Sequence, residues 1–88
     1  MVGTLLISGE GLVVGFIFIK TAAKKEHKAF RELQGMPEIL ELTPLFGEYD
    51  LIAKIEAHDF NALSRIVMNK IRKIDGVEDT MTLPGIKI

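Results

Sequence analysis

The 88-residue sequence contains no cysteine and no tryptophan, and its only histidines are His27 and His58. The absence of cysteine excludes disulfide bonds, thiolate metal sites and cysteine nucleophiles. Serine occurs only at Ser8 and Ser64, and neither lies in the Gly-x-Ser-x-Gly pattern of a nucleophile elbow. The histidines have no partners at the spacing of a metal site, so we expect no metal and no cofactor. These absences predict a protein that is not an enzyme.

An excess of one charge is also missing. Eleven Lys and Arg residues oppose twelve Asp and Glu residues, and the net charge of −1 provides no overall attraction to nucleic acid or to an anionic membrane. The longest apolar run, residues 12–19, is far shorter than the roughly 20 residues that span a membrane. Residues 1–11 lack the basic start and apolar stretch of a signal peptide. We therefore expect a cytoplasmic protein without membrane association.

The first half of the sequence predicts a strand, a helix and a second strand. Residues 12–19 form a continuous run of β-branched and aromatic side chains, which indicates a strand buried on both faces. Thr21 is the predicted N-cap of a helix that ends at Gly35, because threonine accepts hydrogen bonds from the first helical N–H groups. Residues 39–46 then predict a second strand.

The second half repeats this order after a turn at Gly47. Residues 49–57 alternate, with the odd-numbered side chains from Tyr49 onward on one face of the predicted third strand. Asp59 is the predicted N-cap of a second helix that extends to Gly76. Residues 77–83 predict the fourth strand.

The resulting order, βαββαβ, is that of a ferredoxin-like α+β fold. We expect a four-stranded antiparallel sheet with both helices on one face, in a single domain over residues 12–88. Residues 1–11 are predicted to be an N-terminal extension. In a monomer, the first strand would leave a row of large apolar side chains in water. We therefore expect a second subunit to pack sheet to sheet and to close a dimeric α/β barrel.

Three stretches carry motifs, namely residues 15–20, 47–55 and 76–82. The second reads Gly-Glu-Tyr-Asp-Leu-Ile-Ala-Lys-Ile and the third reads Gly-Val-Glu-Asp-Thr-Met-Thr. The second stretch resembles the G-(D/E)-(Y/F)-D-x-x-x-K-(V/I) run, and the third resembles the G-V-x-x-T-x-T run, of the effector (RAM) domain in leucine-responsive (Lrp/AsnC) transcription regulators. The first stretch, residues 15–20, resembles the first strand of the same domain. The resemblance extends from Val13 to about Ile86. Because so few residues precede the first strand, we expect a stand-alone effector domain without the helix-turn-helix of that family.

The resemblance implies a homodimer, larger assemblies of dimers, and small effectors, typically amino acids, that bind between dimers. It also implies mixed assemblies with full-length Lrp/AsnC regulators, while the chain itself is not expected to bind DNA specifically. By position, the effector-binding residues of the family fall on Thr43, Asp50, Phe60, Leu83, Pro84 and Gly85, with Gly47, Glu48 and Tyr49 beside them.

The residue chemistry is compatible with an amino-acid ligand. Asp50 or Glu48 could pair with its ammonium group, and the segment from residue 32 to 53 is acidic, with no Lys or Arg. Backbone N–H groups near Gly47 or Gly85 could bind its carboxylate. Asp50 has an alternative role as a turn residue bonded to the backbone, and Phe60 has one in core packing.

We therefore expect a regulatory module that senses a small molecule and oligomerises. Two alternatives are left open by the residues alone. A small dimeric α/β-barrel enzyme, such as a monooxygenase or an isomerase, would need a cavity lined by His or Asn. A purely structural assembly domain would need only the apolar interface.

Overall fold

The structure is a computed structural model that describes residues 12–86, and the predicted extension over residues 1–11 lies outside the described residues. Within residues 12–86, no helix has the length and apolar character needed to cross a membrane. The elements are β1 (Val13–Thr21), α1 (Glu26–Gln34), β2 (Ile39–Pro44), β3 (Leu51–Ala57), α2 (Phe60–Asn69), a 3₁₀ turn (Ile71–Lys73) and β4 (Val77–Pro84). The sheet is antiparallel throughout, in the order β2-β3-β1-β4, which confirms the predicted βαββαβ fold.

The core lies between the sheet and the two helices. Odd-numbered side chains of the two central strands point into it, because side chains alternate along a strand. Burying this apolar surface is the main stabilising contribution in a domain of this size. The buried residues of the cluster are Ile17, Ile19, Leu33, Leu51, Ala53, Ile55, Ala57, Leu63, Val67 and Ile71.

The opposite face of the sheet is apolar and uncovered in the single chain. In the strand register, Phe16 lies beside Leu83, and Phe18 lies between Ile52 and Met81. Phe16 remains 37% exposed and Leu83 48% exposed. We call the surface formed by these five side chains the open sheet face. One row of β1 is therefore left in water, as the sequence predicted.

The predicted helix cap at Thr21 is wrong. Thr21 is the last residue of β1, and α1 begins only at Glu26, after Lys25, whose side chain makes no capping hydrogen bond. The physical reason is that the Asp50 carboxylate accepts hydrogen bonds from both the backbone N–H and the hydroxyl of Thr21. This competing partner extends the strand and keeps the threonine out of the helix.

The connection between β2 and β3 is longer than the predicted turn at Gly47, because β2 ends at Pro44 and β3 begins only at Leu51. It covers residues 45–50, and the Leu45 N–H donates to the Asp50 carbonyl at 2.8 Å where the ladder ends. Tyr49 lies in this loop rather than in β3. Its ring centroid is 5.7 Å from that of Phe18, so Tyr49 lies on the open sheet face and not with the buried row of β3. The predicted side for Tyr49 is therefore wrong.

The second helix begins as predicted and ends earlier. The Asp59 carboxylate accepts a hydrogen bond from the Ala62 N–H at 2.7 Å, which confirms the cap. The helix stops at Asn69, and the 3₁₀ turn that follows directs Ile71 into the core. Phe60 is 49% exposed, so it is not a core residue.

Candidate effector site

Asp50 connects the loop over residues 45–50 to β1 at the end of the sheet where β1 finishes. Its Oδ2 accepts hydrogen bonds from the Thr21 N–H at 2.7 Å and from the Thr21 Oγ1 at 3.0 Å. Its own N–H donates to the Ile19 carbonyl at 2.9 Å. The half-buried carboxylate is therefore fixed in place by bonds to β1, rather than by bonds within its own turn.

The other residues predicted at this end surround Asp50. Gly47 and Glu48 are exposed at the tip of the loop, where Gly47 has a φ of +149°. The Tyr49 hydroxyl lies 4.0 Å from the Met81 sulfur. Thr43 contributes to a shallow pocket of about 60 Å³ on the same face of the sheet as the open sheet face. We use the name Asp50 end for the predicted residues located here, namely Thr43, Gly47, Glu48, Tyr49 and Asp50.

The remaining predicted residues lie at the opposite end of the sheet. Phe60, Leu83, Pro84 and Gly85 lie near the start of β1, and we call them the Phe60 end. Phe60 and Gly85 line a cavity of about 510 Å³ together with residues 12–14 and 86. The Gly85 N–H donates to the carbonyl of Val14 at 2.7 Å, so this backbone donor is already used.

The structure does not bring the two ends together within one chain. Asp50 bonds to Ile19 of β1, whereas Gly85 bonds to Val14. These two residues are five positions apart in β1, which corresponds to about 17 Å at the usual rise of a strand. The predicted residues therefore form two clusters, and their role in effector binding remains a prediction.

Other charged groups of the described region stabilise the fold and lie outside both ends. The Lys70 ammonium hydrogen-bonds to Glu38 and holds the pKa of that carboxyl below its usual value. Lys25 lies 2.9 Å from Asp75 and lowers the pKa of that carboxyl in the same way. Within residues 12–86, no cluster of three or more His, Asp or Glu side chains is placed to hold a metal ion.

The start of α1, for which no functional role was predicted, also lies at this end, where Glu26 and His27 line a cleft together with Asp50. The short connection between β1 and α1 could have predicted that these residues lie close to Asp50. Because α1 follows β1 after four residues, its first turn must lie at the end of the sheet where β1 finishes. The predicted helix start at Thr21 was too early, and for this reason the position of Glu26 and His27 was not predicted.

A family model described as the Lrp/AsnC ligand binding domain matches residues 14–87. The chain belongs to the Lrp/AsnC family, as the motifs had indicated. Its fold and its family are those of the ligand-binding domains of transcription regulators.

Among curated proteins, the chain is similar to the HTH-type transcriptional regulator FL11 of Pyrococcus furiosus, with 31% identity over 88 residues. That match covers 97% of this chain and 58% of FL11. The chain thus spans about half the length of the curated relatives it matches. A shorter match, 40% identical over 52 residues, covers 59% of this chain and 11% of the homocitrate synthase of Sulfurisphaera tokodaii.

Solved structures show the same fold. The crystal structure of FFRP-DM1 has a TM-score of 0.79 and 39% identity, and the match covers 84% of this chain and 99% of that one. A Neisseria meningitidis transcriptional regulator, solved as a complex with L-Met, has a TM-score of 0.80 and 28% identity. The match covers 97% of this chain and 58% of that regulator.

Proposed function

We propose that the chain is an amino-acid-sensing and oligomerising module of transcription regulation, whose effector binds between two dimers. The observation that carries this proposal is the separation of the Asp50 end from the Phe60 end by about 17 Å along β1. An effector as small as an amino acid contacts both ends only where the ends of different chains meet. The family supports the effector-binding role, and the L-Met complex of the Neisseria regulator supports the ligand class.

The proposed dimer forms through the open sheet face. Its central residues are aromatic or aliphatic, and Phe16, Met81 and Leu83 are between 37% and 48% exposed. A contiguous apolar surface of this kind marks an interaction site in soluble proteins. Two copies that press the same face together form a two-fold interface and close the dimeric α/β barrel.

Asp50 is the proposed partner of the effector's ammonium group. Its carboxylate is held rigidly by Thr21, and a charge-assisted hydrogen bond to a fixed carboxylate is stronger than a neutral one. Because the Gly85 N–H already bonds to Val14, the turn around Gly47 is the better source of N–H donors for the effector's carboxylate. Glu48, exposed on that turn, is a second carboxylate within the Asp50 end.

A thermal-shift screen against the twenty amino acids tests the ligand class, because a ligand that binds only the native state raises the melting temperature. Calorimetry with the ligand found then compares Asp50→Asn with Thr21→Val. Asp50→Asn removes the charge, and we expect affinity to fall about tenfold or more. Thr21→Val loosens the same hydrogen-bond pair but keeps the charge, so affinity should change much less.

Two results would contradict the proposal. Equal affinity of the original protein and Asp50→Asn would remove Asp50 from the site. An oligomer that no amino acid stabilises would favour the structural assembly domain instead. The enzyme alternative required His or Asn inside the barrel, whereas none of the four strands contains either residue.

A further inference from the structure

A second cleft lies on the helix side of the sheet, between the first turn of α1 and the loop over residues 45–50. Its volume is about 350 Å³, at the lower end of the range of small-molecule sites. Glu26, His27 and Phe30 of α1 form one wall, and Leu45 forms part of the other. Asp50 lies in the cleft between them. All of these residues belong to one chain, so the cleft needs no second subunit to be complete.

The charged groups of the cleft favour a cation. Glu26 and Asp50 contribute two carboxylates, and no Lys or Arg is among the lining residues. Two lysines close to Glu26 in the chain pair with other carboxylates, Lys25 with Asp75 and Lys28 with Glu32. An ammonium group in the cleft would therefore meet two carboxylates without competition from a Lys or Arg of the lining.

The Asp50 carboxylate is already oriented for this contact. Both of the hydrogen bonds from Thr21 go to Oδ2, and they fix the plane of the carboxylate. A ligand that meets a fixed carboxylate does not have to order the side chain on binding, which reduces the entropic cost of association. Glu26, which is exposed, lies on the opposite wall and can close over the cation.

The rest of the lining favours an apolar body attached to the cation. Phe30 is half-buried, Leu45 is 38% exposed, and Leu51 is almost fully buried. The face of an aromatic ring also attracts a cation at close range, which adds to the preference for an ammonium compound. The cleft volume of about 350 Å³ is sufficient for a branched aliphatic chain of four or five carbon atoms together with its ammonium group.

We propose that this cleft is a second ligand site, contained within one subunit, that takes small primary ammonium compounds with an apolar body. It goes beyond the proposed function, because the site between dimers needs residues of different chains and this one does not. The two sites share Asp50, and Glu26 and His27 are particular to the cleft. Free amines and apolar amino acids both carry the required group, so the test separates these sources.

The two histidines provide the probes for this test. His27 lies on the wall of the cleft, whereas His58 lies between β3 and α2 at the Phe60 end. Their imidazole signals are followed by NMR at constant pH during titration of the full chain, and a His27→Gln variant assigns them. We expect 3-methylbutylamine to shift the His27 signal saturably and to leave the His58 signal in place. We expect 4-methylpentanoate, which has the apolar body and a carboxylate but no amine, to shift neither.

Leucine distinguishes the sources, because it carries the same branched body with both groups. A leucine shift at His27 that Glu26→Gln weakens assigns the cleft to amino acids as well as amines, because Glu26 belongs to the cleft and not to the site between dimers. A shift with the amine alone assigns the cleft to amines. Glu26→Gln should weaken amine binding about three- to tenfold, as expected for the loss of one partly exposed charge pair. Glu78→Gln, an exposed glutamate outside the cleft, makes the same change in charge and should leave the titration unchanged.

Three results would overturn the proposal: no saturable shift at His27, an equal shift with 4-methylpentanoate, or equal binding by Glu26→Gln. These failures are distinct from a failure of the proposed function. An amino acid that raises the melting temperature and shifts His58 but not His27 would leave the site between dimers standing and would exclude the cleft.

Discussion

Asp50 accepts two hydrogen bonds from Thr21, a residue 29 positions earlier in the chain, and this pair closes the end of the two central strands. The backbone N–H of Thr21 has the carboxylate as its partner at 2.7 Å. Asp50 thus has a structural role in the single chain, in addition to the role proposed for it in effector binding.

The first prediction concerns the stability that this pair provides. Asp50→Asn should lower the free energy of unfolding by about 1–2 kcal/mol, because charge-assisted hydrogen bonds are replaced by weaker neutral ones. The expected fall in melting temperature is roughly 4–8 °C per kcal/mol for a domain of this size. Thr21→Val removes only the hydroxyl donor and should cost less. Urea unfolding of the variants checks this order, and an unchanged midpoint for Asp50→Asn would contradict it.

The second prediction concerns the open sheet face. Phe16→Asp places a charge where the partner subunit is expected, and it should produce monomers or aggregates. Asn61→Asp, on the exposed surface of α2, introduces the same charge and should leave the oligomeric state unchanged. Sedimentation velocity measures both variants. A well-folded monomer of the unmodified protein would refute the dimer.

The third prediction concerns the turn before β4. Gly76 has a φ of +102°, and a Cβ atom there would lie 3.0 Å from both the Cβ and the carbonyl oxygen of Lys25. Gly76→Ala should therefore destabilise the domain by about 1–3 kcal/mol. Gly35 has a φ of −80°, and a Cβ there would make only ordinary contacts, so Gly35→Ala should be neutral or slightly stabilising. Equal stability of the two variants would show that the turn is not strained.

The fourth prediction is a pH dependence from Asp75. Because Lys25 lowers its pKa in the folded protein, the pair stabilises the fold at pH values above the ordinary carboxyl pKa of 3.8. This contribution is lost as the pH falls through the lower, folded pKa. Asp75→Asn should therefore be less stable than the original protein at pH 7 and equally stable in strong acid.

A double-mutant cycle checks the cause of that dependence. Lys25→Met should lower stability at pH 7 through the same ion pair, so the double variant should lose less than the sum of the two single losses. Additive losses in urea unfolding at pH 7 would mean that the two side chains act independently.

The fifth prediction concerns DNA. Both helices of the described region pack on the sheet through buried residues such as Leu33 and Val67, so neither is free to enter a major groove. The isolated 88-residue chain should give no sequence-specific shift in gels at physiological salt. Such a shift would refute this prediction. Co-purification with tagged full-length Lrp/AsnC regulators tests mixed assembly, and recovery of homo-oligomers alone would count against it.

Much of the fold could be predicted from short-range patterns. The alternation in residues 51–57 identified the buried face of β3, and Asp59 identified the start of α2, because a strand period and a helix cap depend on neighbouring residues. The continuous apolar run of β1 predicted two covered faces. In the single chain only one of them is covered, by the helices.

The errors arose where a distant residue supplied the decisive partner. Thr21 has the residue type of a helix cap, but Asp50 reaches it across the sheet and keeps it in β1. In the sequence, Tyr49 continues the alternation of β3, but its contact with Phe18 places it on the open sheet face. The alternative role of Phe60 in core packing is not met either, because Phe60 is 49% exposed at the end of the sheet.

The sequence by itself determined the order of the elements, their faces and the membership of the family, because these depend on periodicity and on motifs read along the chain. The tertiary structure decided which of the predicted site residues are neighbours. Strand pairing places Asp50 and Gly85 at opposite ends of β1, on partners about 17 Å apart along that strand, and the short connection after β1 places Glu26 and His27 beside Asp50. Register follows from how the strands pair and from the turns that join them, so the pattern of one strand alone does not give the distances between residues of different strands.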